Sequence, residues 1–280
     1  RLLDDAAARG RLDVLTDLAR PLPAIVIAEL LGARPEDREL LRGWSDDVAR
    51  FLGNSTGLHE AARTQASVLG MIDYFRDVLA RHRAAPRDDL MGALLAFQAD
   101  APELDDEALL SNCVVLVFAG HETTTNLIGN GAWTLATRPD QWQLLQANPA
   151  LVAPAVEEML RHDTSVQLVP RWVREPLELG GKQLEPGQRV LLNFAAANRD
   201  PALVPDPDRF DLTRPPSRHL AFGQGPHHCL GVALARLEAQ VVFTALVARA
   251  LTLSLDPAHP PTRKPSVVLR GPAQLHLRLT

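Results

Sequence analysis

The stretch His219-Leu-Ala-Phe-Gly-Gln-Gly-Pro-His-His-Cys229-Leu-Gly231 is a glycine-punctuated loop that presents one cysteine and then runs into a long apolar helical pattern, Leu230 to Arg249. A thiolate at Cys229 would stand at the amino end of that helix, where the macrodipole and unpaired N–H groups favour negative charge and lower a thiol pKa. Gly223, Gly225 and Gly231 let the backbone approach something flat and large, and Phe222 adds an apolar wall beside the sulfur. This suits a soft thiolate ligand to a metal. Zinc held by His227, His228 and Cys229 does not fit, because adjacent ligands are poorly spaced for a tetrahedron and no second ligand cluster accompanies them.

Working outward, the longest helix is expected to start at Leu104-Asp105-Asp106-Glu107, with Asp105 as its N-cap. From Leu109 it is apolar almost all round through Cys113 to Ala119, which implies burial rather than a surface stripe. Gly120-His121-Glu122-Thr123-Thr124-Thr125 then interrupts it with poor helix formers and a carboxylate that is costly inside an apolar helix. Thr123 is placed to bond the carbonyl four residues back, at Ala119, bending the helix and opening a groove. Farther on, Glu158 and Arg161 share a helix face at i and i+3 and can pair.

Phe222-Gly-x-Gly-x-His227-x-Cys229-x-Gly231, preceded in order by Ala119-Gly-His-Glu122-Thr123-Thr124, Glu158-x-x-Arg161 and Pro207-Asp-Arg209-Phe210, resembles the cytochrome P450 family in its soluble bacterial form. The resemblance implies a mainly α fold with small, mostly antiparallel β-sheets, and haem b (iron protoporphyrin IX) between the helix bearing Thr123 and the loop bearing Cys229. Cys229 becomes the thiolate ligand of the haem iron, with Phe222, Gly223 and Gly231 shaping its loop. Arg171 and His227 become partners of the haem propionates, a role that suits a guanidinium. Glu122 and Thr123 become the acid–alcohol pair that relays protons to iron-bound oxygen. Glu158, Arg161 and Arg209 become a buried network on the proximal side that serves folding and haem retention. By position, Phe118, Ala119, Gln167 and Val169 line the distal cavity.

The activity so implied is monooxygenation, one oxygen atom of O2 entering a C–H bond (hydroxylation or epoxidation) of a small apolar substrate such as a secondary metabolite, terpenoid, polyketide or fatty acid. Electrons would come from a ferredoxin and its NAD(P)H-dependent reductase, since the chain carries no dinucleotide fingerprint. A basic proximal patch that includes Arg236 would receive the acidic partner. An oxygenase driven by peroxide is disfavoured by the presence of both Glu122 and Thr123. A second reading, a non-catalytic truncated or degenerate haem-binding fragment, follows from the missing amino-terminal part: the chain starts at Arg1 inside an amphipathic pattern and is expected to be the carboxy-terminal two thirds of a single domain, 1–280.

The rest of the composition is consistent with this. A net charge of -5 and the absence of a dense Lys/Arg run argue against nucleic acid. No signal peptide or bilayer-length apolar stretch is evident, and Cys113 and Cys229 read as thiols, so the cytoplasm and no membrane are expected. The amino-terminal part reads as helices, 12–31 broken at Pro21 and Pro23, one opened by Pro35, and one with Val68, Ile72, Phe75 and Leu79 on its buried face, with a loop at 53–57. Around Leu177 to Leu184 the pattern reads as a tight hairpin, and 198–216 as an irregular proline-rich segment. In the final helix Arg236 and Glu238 form the polar face, and 266–279 is expected to be a strand pair turning at Gly271-Pro272.

Overall fold

A computed structural model describes residues 2–53, 57–101, 103–249 and 252–279. Helix α1 (Leu2–Ala8) leads to strand β1 (Arg11–Asp13), a π-helical turn (Val14–Ala19) and α2 (Pro21–Leu30). Pro21 therefore opens α2 instead of breaking a helix, since its fixed φ and missing N–H are tolerated in a first turn. A 3-10 turn at Pro35–Asp37 feeds α3 (Arg38–Gly53), and α4 (Leu58–Ala84) and α5 (Leu90–Gln98) follow. Of the loop expected at 53–57, residues 54–56 lie outside the described residues.

Helix α6 (Asp106–Ala136) is the axis of the molecule, capped by the Asp105 carboxylate accepting from Ala108 N at 2.8 Å. Its first half, through Leu109, Leu110, Cys113 and Val117, belongs to a core shared with α2, α3 and α4. Its second half, through Leu127, Ile128, Ala132 and Leu135, belongs to another core. That second core is built with α7 (Pro139–Ala147), α8 (Val152–His162) and α10 (Val232–Ala248). Between the two cores lies a buried polar belt, His121, Glu122, Thr124, Thr125 and Asn126. At Gly131 a Cβ would come within 2.6 Å of both Met159 Sδ and Phe243 Cζ, so only glycine lets α8 and α10 close on α6 there.

The strands are peripheral. β2 (Leu168–Trp172) pairs antiparallel with β5 (Arg189–Asn193), Arg171 opposite Val190, and short α9 (Phe194–Ala197) follows. β3 (Leu177–Leu179) and β4 (Lys182–Leu184) form the expected hairpin, turning at Gly180-Gly181. The carboxy-terminal expectation is corrected: β8 (Pro272–Gln274) pairs with β7 (Thr262–Arg263), while β9 (His276–Leu279) lies between β1 and β6 (Leu253–Leu255). The tail thus closes a sheet with the start of the chain, burying Leu12, Leu253 and Leu277, which a turn at Gly271 would leave unpaired.

Glu238 is also corrected. It is 5% exposed and faces α6, where Thr124 hydrogen-bonds to it while its Oε2 has no partner among the described residues. Burial pushes its pKa up to about 7, against an ordinary value of 4.5. The proton is therefore held more tightly in the folded chain, and the stabilisation is complete below pH 4.5 and lost as pH rises through 7. Glu238→Gln should leave the melting temperature unchanged near pH 4.5 and raise it at pH 8, by an amount corresponding to up to about 3 kcal/mol. A thermal melt at each pH decides it; a variant less stable at pH 8 would show that the carboxylate is needed ionised.

Candidate active site

The loop before α10 is shaped by Gly223 and Gly225, at φ 68 and 77, and tied by Gly223 N to Leu220 O and Cys229 N to Phe222 O, each 2.9 Å. Cys229 is exposed, and α10 begins at Val232 with Gly231 as its N-cap, so the cysteine stands just before the helix's free N–H groups. A Cβ on Gly231 would meet only Cys229 Sγ, at 3.9 Å. Next to the thiol, Leu230 is 87% exposed, and Phe222 packs on the core with the Arg236 guanidinium 5.0 Å over its ring. The other cysteine, Cys113, is buried, and burial pushes its thiol up to about 12.

The two ends of this loop are held by one residue that the sequence reading passed over. Glu157 on α8 takes Nε and Nη2 of Arg236 at 2.7 Å each and meets His219 Nε2 at 3.1 Å. Burial raises its pKa, but the His219 and Arg236 contacts outweigh that and hold it at about 2. Its neighbour Glu158 was the visible one; two adjacent acids on a helix that buries most of its length were the available signal. Since Arg236 is spent on Glu157, it is not the free basic group expected of a docking patch.

On α6, Thr123 Oγ1 donates to Ala119 O at 2.8 Å, as its spacing predicts, and the helix continues unbroken from Asp106 to Ala136. Val115, Ala119 and Thr123, at successive i+4 positions, are exposed or half-buried on a helix whose other faces are covered. Phe118 is half-buried beside them. Glu122 points elsewhere: it is 4% exposed, and its Oε1 accepts from Lys264 Nζ at 2.5 Å and Asn126 Nδ2 at 3.2 Å. The acid and the alcohol are neighbours in sequence but are not hydrogen-bonded to each other. His121, 1% exposed, has its pKa lowered by burial.

Contacts between α6 and α10 run in one direction along both helices, Thr124 with Glu238 and Gly131 with Phe243. The amino end of α10, with Cys229, therefore lies toward the Ala119–Thr123 segment rather than toward Ala136. The side chain of Arg171, on β2, bonds only the neighbouring Pro170 carbonyl (Nη1, 2.9 Å) among the described residues. It borders an open groove of about 470 Å³ with Trp172, Val190 and Leu192. His227 is exposed at the end of the 3-10 turn Gly225–His227. Gln167 is anchored, its N donating to Val268 O and its Nε2 to Thr164 O, and Val169 pairs with Leu192.

Glu158 and Arg161 form a buried bidentate pair, Nε–Oε2 2.7 Å and Nη2–Oε1 2.8 Å. Arg209 does not join it. Its side chain is 64% exposed and lies 3.5 Å from Asp211; only its carbonyl takes part, accepting from Arg161 Nη2 at 3.3 Å. The third charged group is Arg214, whose Nε lies 3.2 Å from Glu158 Oε1 while its other nitrogens hold the carbonyls of Pro205, Asp206 and Arg209. Asp206, in the same segment, takes φ 46, in the left-handed region.

The family model described as "Cytochrome P450" matches residues 137–278. The "Steroid C26-monooxygenase" of Mycobacterium tuberculosis is 37% identical over 254 residues, 91% of this chain and 68% of its own length. The chain belongs to the cytochrome P450 family. The "Biotin biosynthesis cytochrome P450" of Bacillus subtilis is likewise 37% identical, over 256 residues, 91% of this chain and 64% of its own. The crystal structure of P450BioI in complex with hexadec-9Z-enoic acid ligated acyl carrier protein superposes with a TM-score of 0.94 at 34% identity, covering 100% of this chain and 72% of that one. This P450 chain thus spans about two thirds of the length of such relatives, and no described helix is long and apolar enough to cross a membrane.

The family implies a haem iron, and the residues present fit one. An accessible thiol before a helix amino terminus, an uncovered leucine beside it and an apolar stripe on α6 would suit a flat apolar ring. Arg171 and His227 would be the N–H donors available to its carboxylates.

Proposed function

We propose that this chain is the haem-thiolate core of a monooxygenase that places one atom of O2 into a C–H bond of a small apolar substrate. The observation that carries the reading is the exposed Cys229 before α10, beside an uncovered Leu230, at the end of α10 that lies toward Thr123. Haem b, bound through the Cys229 thiolate with its carboxylates toward Arg171 and His227, would supply the iron at which O2 is reduced, thiolate donation favouring O–O cleavage. Phe222, Gly223 and Gly231 shape the ligand loop, and the chain acts as one domain around α6.

Thr123 is the proton carrier nearest the open side, and it holds its own proton on the Ala119 carbonyl. To pass a proton outward it must receive one, and Glu122 is the adjacent acid. Because Glu122 is held by Lys264 and Asn126, delivery requires the carboxylate to rotate away from Lys264. The lysine bond therefore sets how often the acid is free to act.

Phe118, Ala119, Gln167 and Val169 would face the substrate. Relatives named for steroid C26 and biotin biosynthesis, and a neighbour holding a hexadecenoyl carrier protein, point to aliphatic C–H bonds. A ferredoxin and its NAD(P)H-dependent reductase are the proposed electron donors, and the cytoplasm the proposed location. Supplied with that redox system, a long-chain fatty acid probe and 18O2, the haem-loaded chain should yield a hydroxylated product carrying the label. Thr123→Ala should lower product per O2 consumed on the order of a hundredfold, oxygen leaving as peroxide instead. A wild-type chain that binds haem but forms no labelled product would sink this reading.

A further inference from the structure

We infer that Asp46, His121 and Glu122 form a divalent transition-metal site of the zinc class where α3 meets α6. One ligand atom from each lies within 4.8 Å of the others, from two helices brought together by packing. His121 supplies an independent reason. It is 1% exposed, its Nδ1 lies 3.3 Å from Ser45 Oγ, and its Nε2 has no hydrogen-bond partner among the described residues. A buried ring nitrogen without a partner is costly, and most such groups in proteins are satisfied. With Nδ1–H donating to Ser45, Nε2 keeps its lone pair, the arrangement in which an outer partner fixes the tautomer of a metal-binding histidine.

The donor set agrees: nitrogen with carboxylate oxygen suits zinc better than calcium or magnesium. Arg42 and Lys264 already touch the carboxylates, but each reaches a single oxygen: Arg42 Nη1 lies 3.3 Å from Asp46 Oδ2, and Lys264 Nζ lies 2.5 Å from Glu122 Oε1. Both cations have second anchors, Arg42 on Glu39 at 2.5 Å and Lys264 on Asn126 Oδ1 at 3.1 Å. They can therefore remain as outer partners while the other oxygens turn to the ion. Donors around tetrahedral zinc stand about 3.4 Å apart, against separations of up to 4.8 Å here, so closing the site takes shifts of about 1 Å.

An ion here would immobilise Glu122, the proposed proton donor, and so restrain turnover. That consequence rests on the monooxygenase reading; the site itself does not. The test is equilibrium dialysis of the haem-loaded chain against Zn2+, with Asp46→Asn and His121→Ala beside the wild type. One zinc per chain is expected, with affinity reduced at least about tenfold in both variants. Should His121→Ala lose its Soret band and with it the fold, Asp46→Asn, at a half-buried position on α3, decides alone. If the wild-type chain holds no haem, the oxygenase reading fails separately, and the same dialysis on a Cys229→Ser chain tests the metal site. A wild-type chain that binds no zinc, or zinc binding undiminished in Asp46→Asn, overturns the inference.

Discussion

Reduced and exposed to carbon monoxide, the haem-loaded chain should show a strongly red-shifted Soret band, and Cys229→Ala should abolish it. The effect is all-or-none because no other group is placed to supply a thiolate. A thiolate pushes electron density onto iron as a neutral imidazole cannot, and the red shift reports that donation. Cys113, the remaining cysteine, is fully buried on α6 with its thiol pushed up to about 12, so it offers no thiolate at neutral pH. His227 and His228 are close enough in sequence to bind iron in the variant, but they would give a band without the shift. A wild-type chain with no haem band, or with one unchanged by the substitution, would replace the oxygenase by the non-catalytic fragment reading.

What was legible in the sequence was local. The Asp105 cap, the Thr123 bond to Ala119, the hairpin at Gly180-Gly181 and the i,i+3 pairing of Glu158 with Arg161 each follow from rules that span a few residues, and each is present. What was not legible depended on segments far apart in the chain. β9 pairs with β1 across nearly the full length of the sequence, and nothing around Gly271 announces it. Glu238 reads as a polar face on its own helix, and only the docking of α10 on α6 shows that it is buried. His121 and Asp46 are unremarkable on separate helices and become a cluster only when α3 and α6 meet. Between Asn198 and Pro216 no period exists to say which way a side chain points, so Arg209 and Arg214 could not be told apart.

That last distinction has a large consequence. Arg161 is wholly buried and holds Glu158 by two bonds, while its Nη1 donates to the carbonyls of Asn198 and Pro207 at 3.1 and 2.9 Å and its Nη2 to that of Arg209. Glu158 Oε1 in turn accepts from Asp211 N at 3.1 Å and from Arg214. The irregular segment is therefore hung on this pair, and Asn198 passes the constraint on, its Oδ1 taking Leu220 N at the entry to the cysteine loop. Glu158→Ala should strand a buried guanidinium and cost about 3–5 kcal/mol, a large share of a typical domain's 5–15 kcal/mol. Haem should then dissociate faster, because the loop that bears Cys229 loses its support. Replacing both partners, Glu158→Leu with Arg161→Met, should cost less than the sum of the single changes, since the wholly buried guanidinium leaves together with its carboxylate and only Arg214 loses an ion-pair partner. Arg214→Ala should be clearly destabilising, whereas Arg209→Ala, at an exposed position, should stay within about 0.5 kcal/mol of the wild type. Chemical denaturation of these chains and of the single Glu158→Leu and Arg161→Met variants, beside the wild type, would check this order. A Glu158→Ala chain as stable as its parent, or an Arg209→Ala effect equal to that of Arg214→Ala, would show that the segment is held by something other than this network.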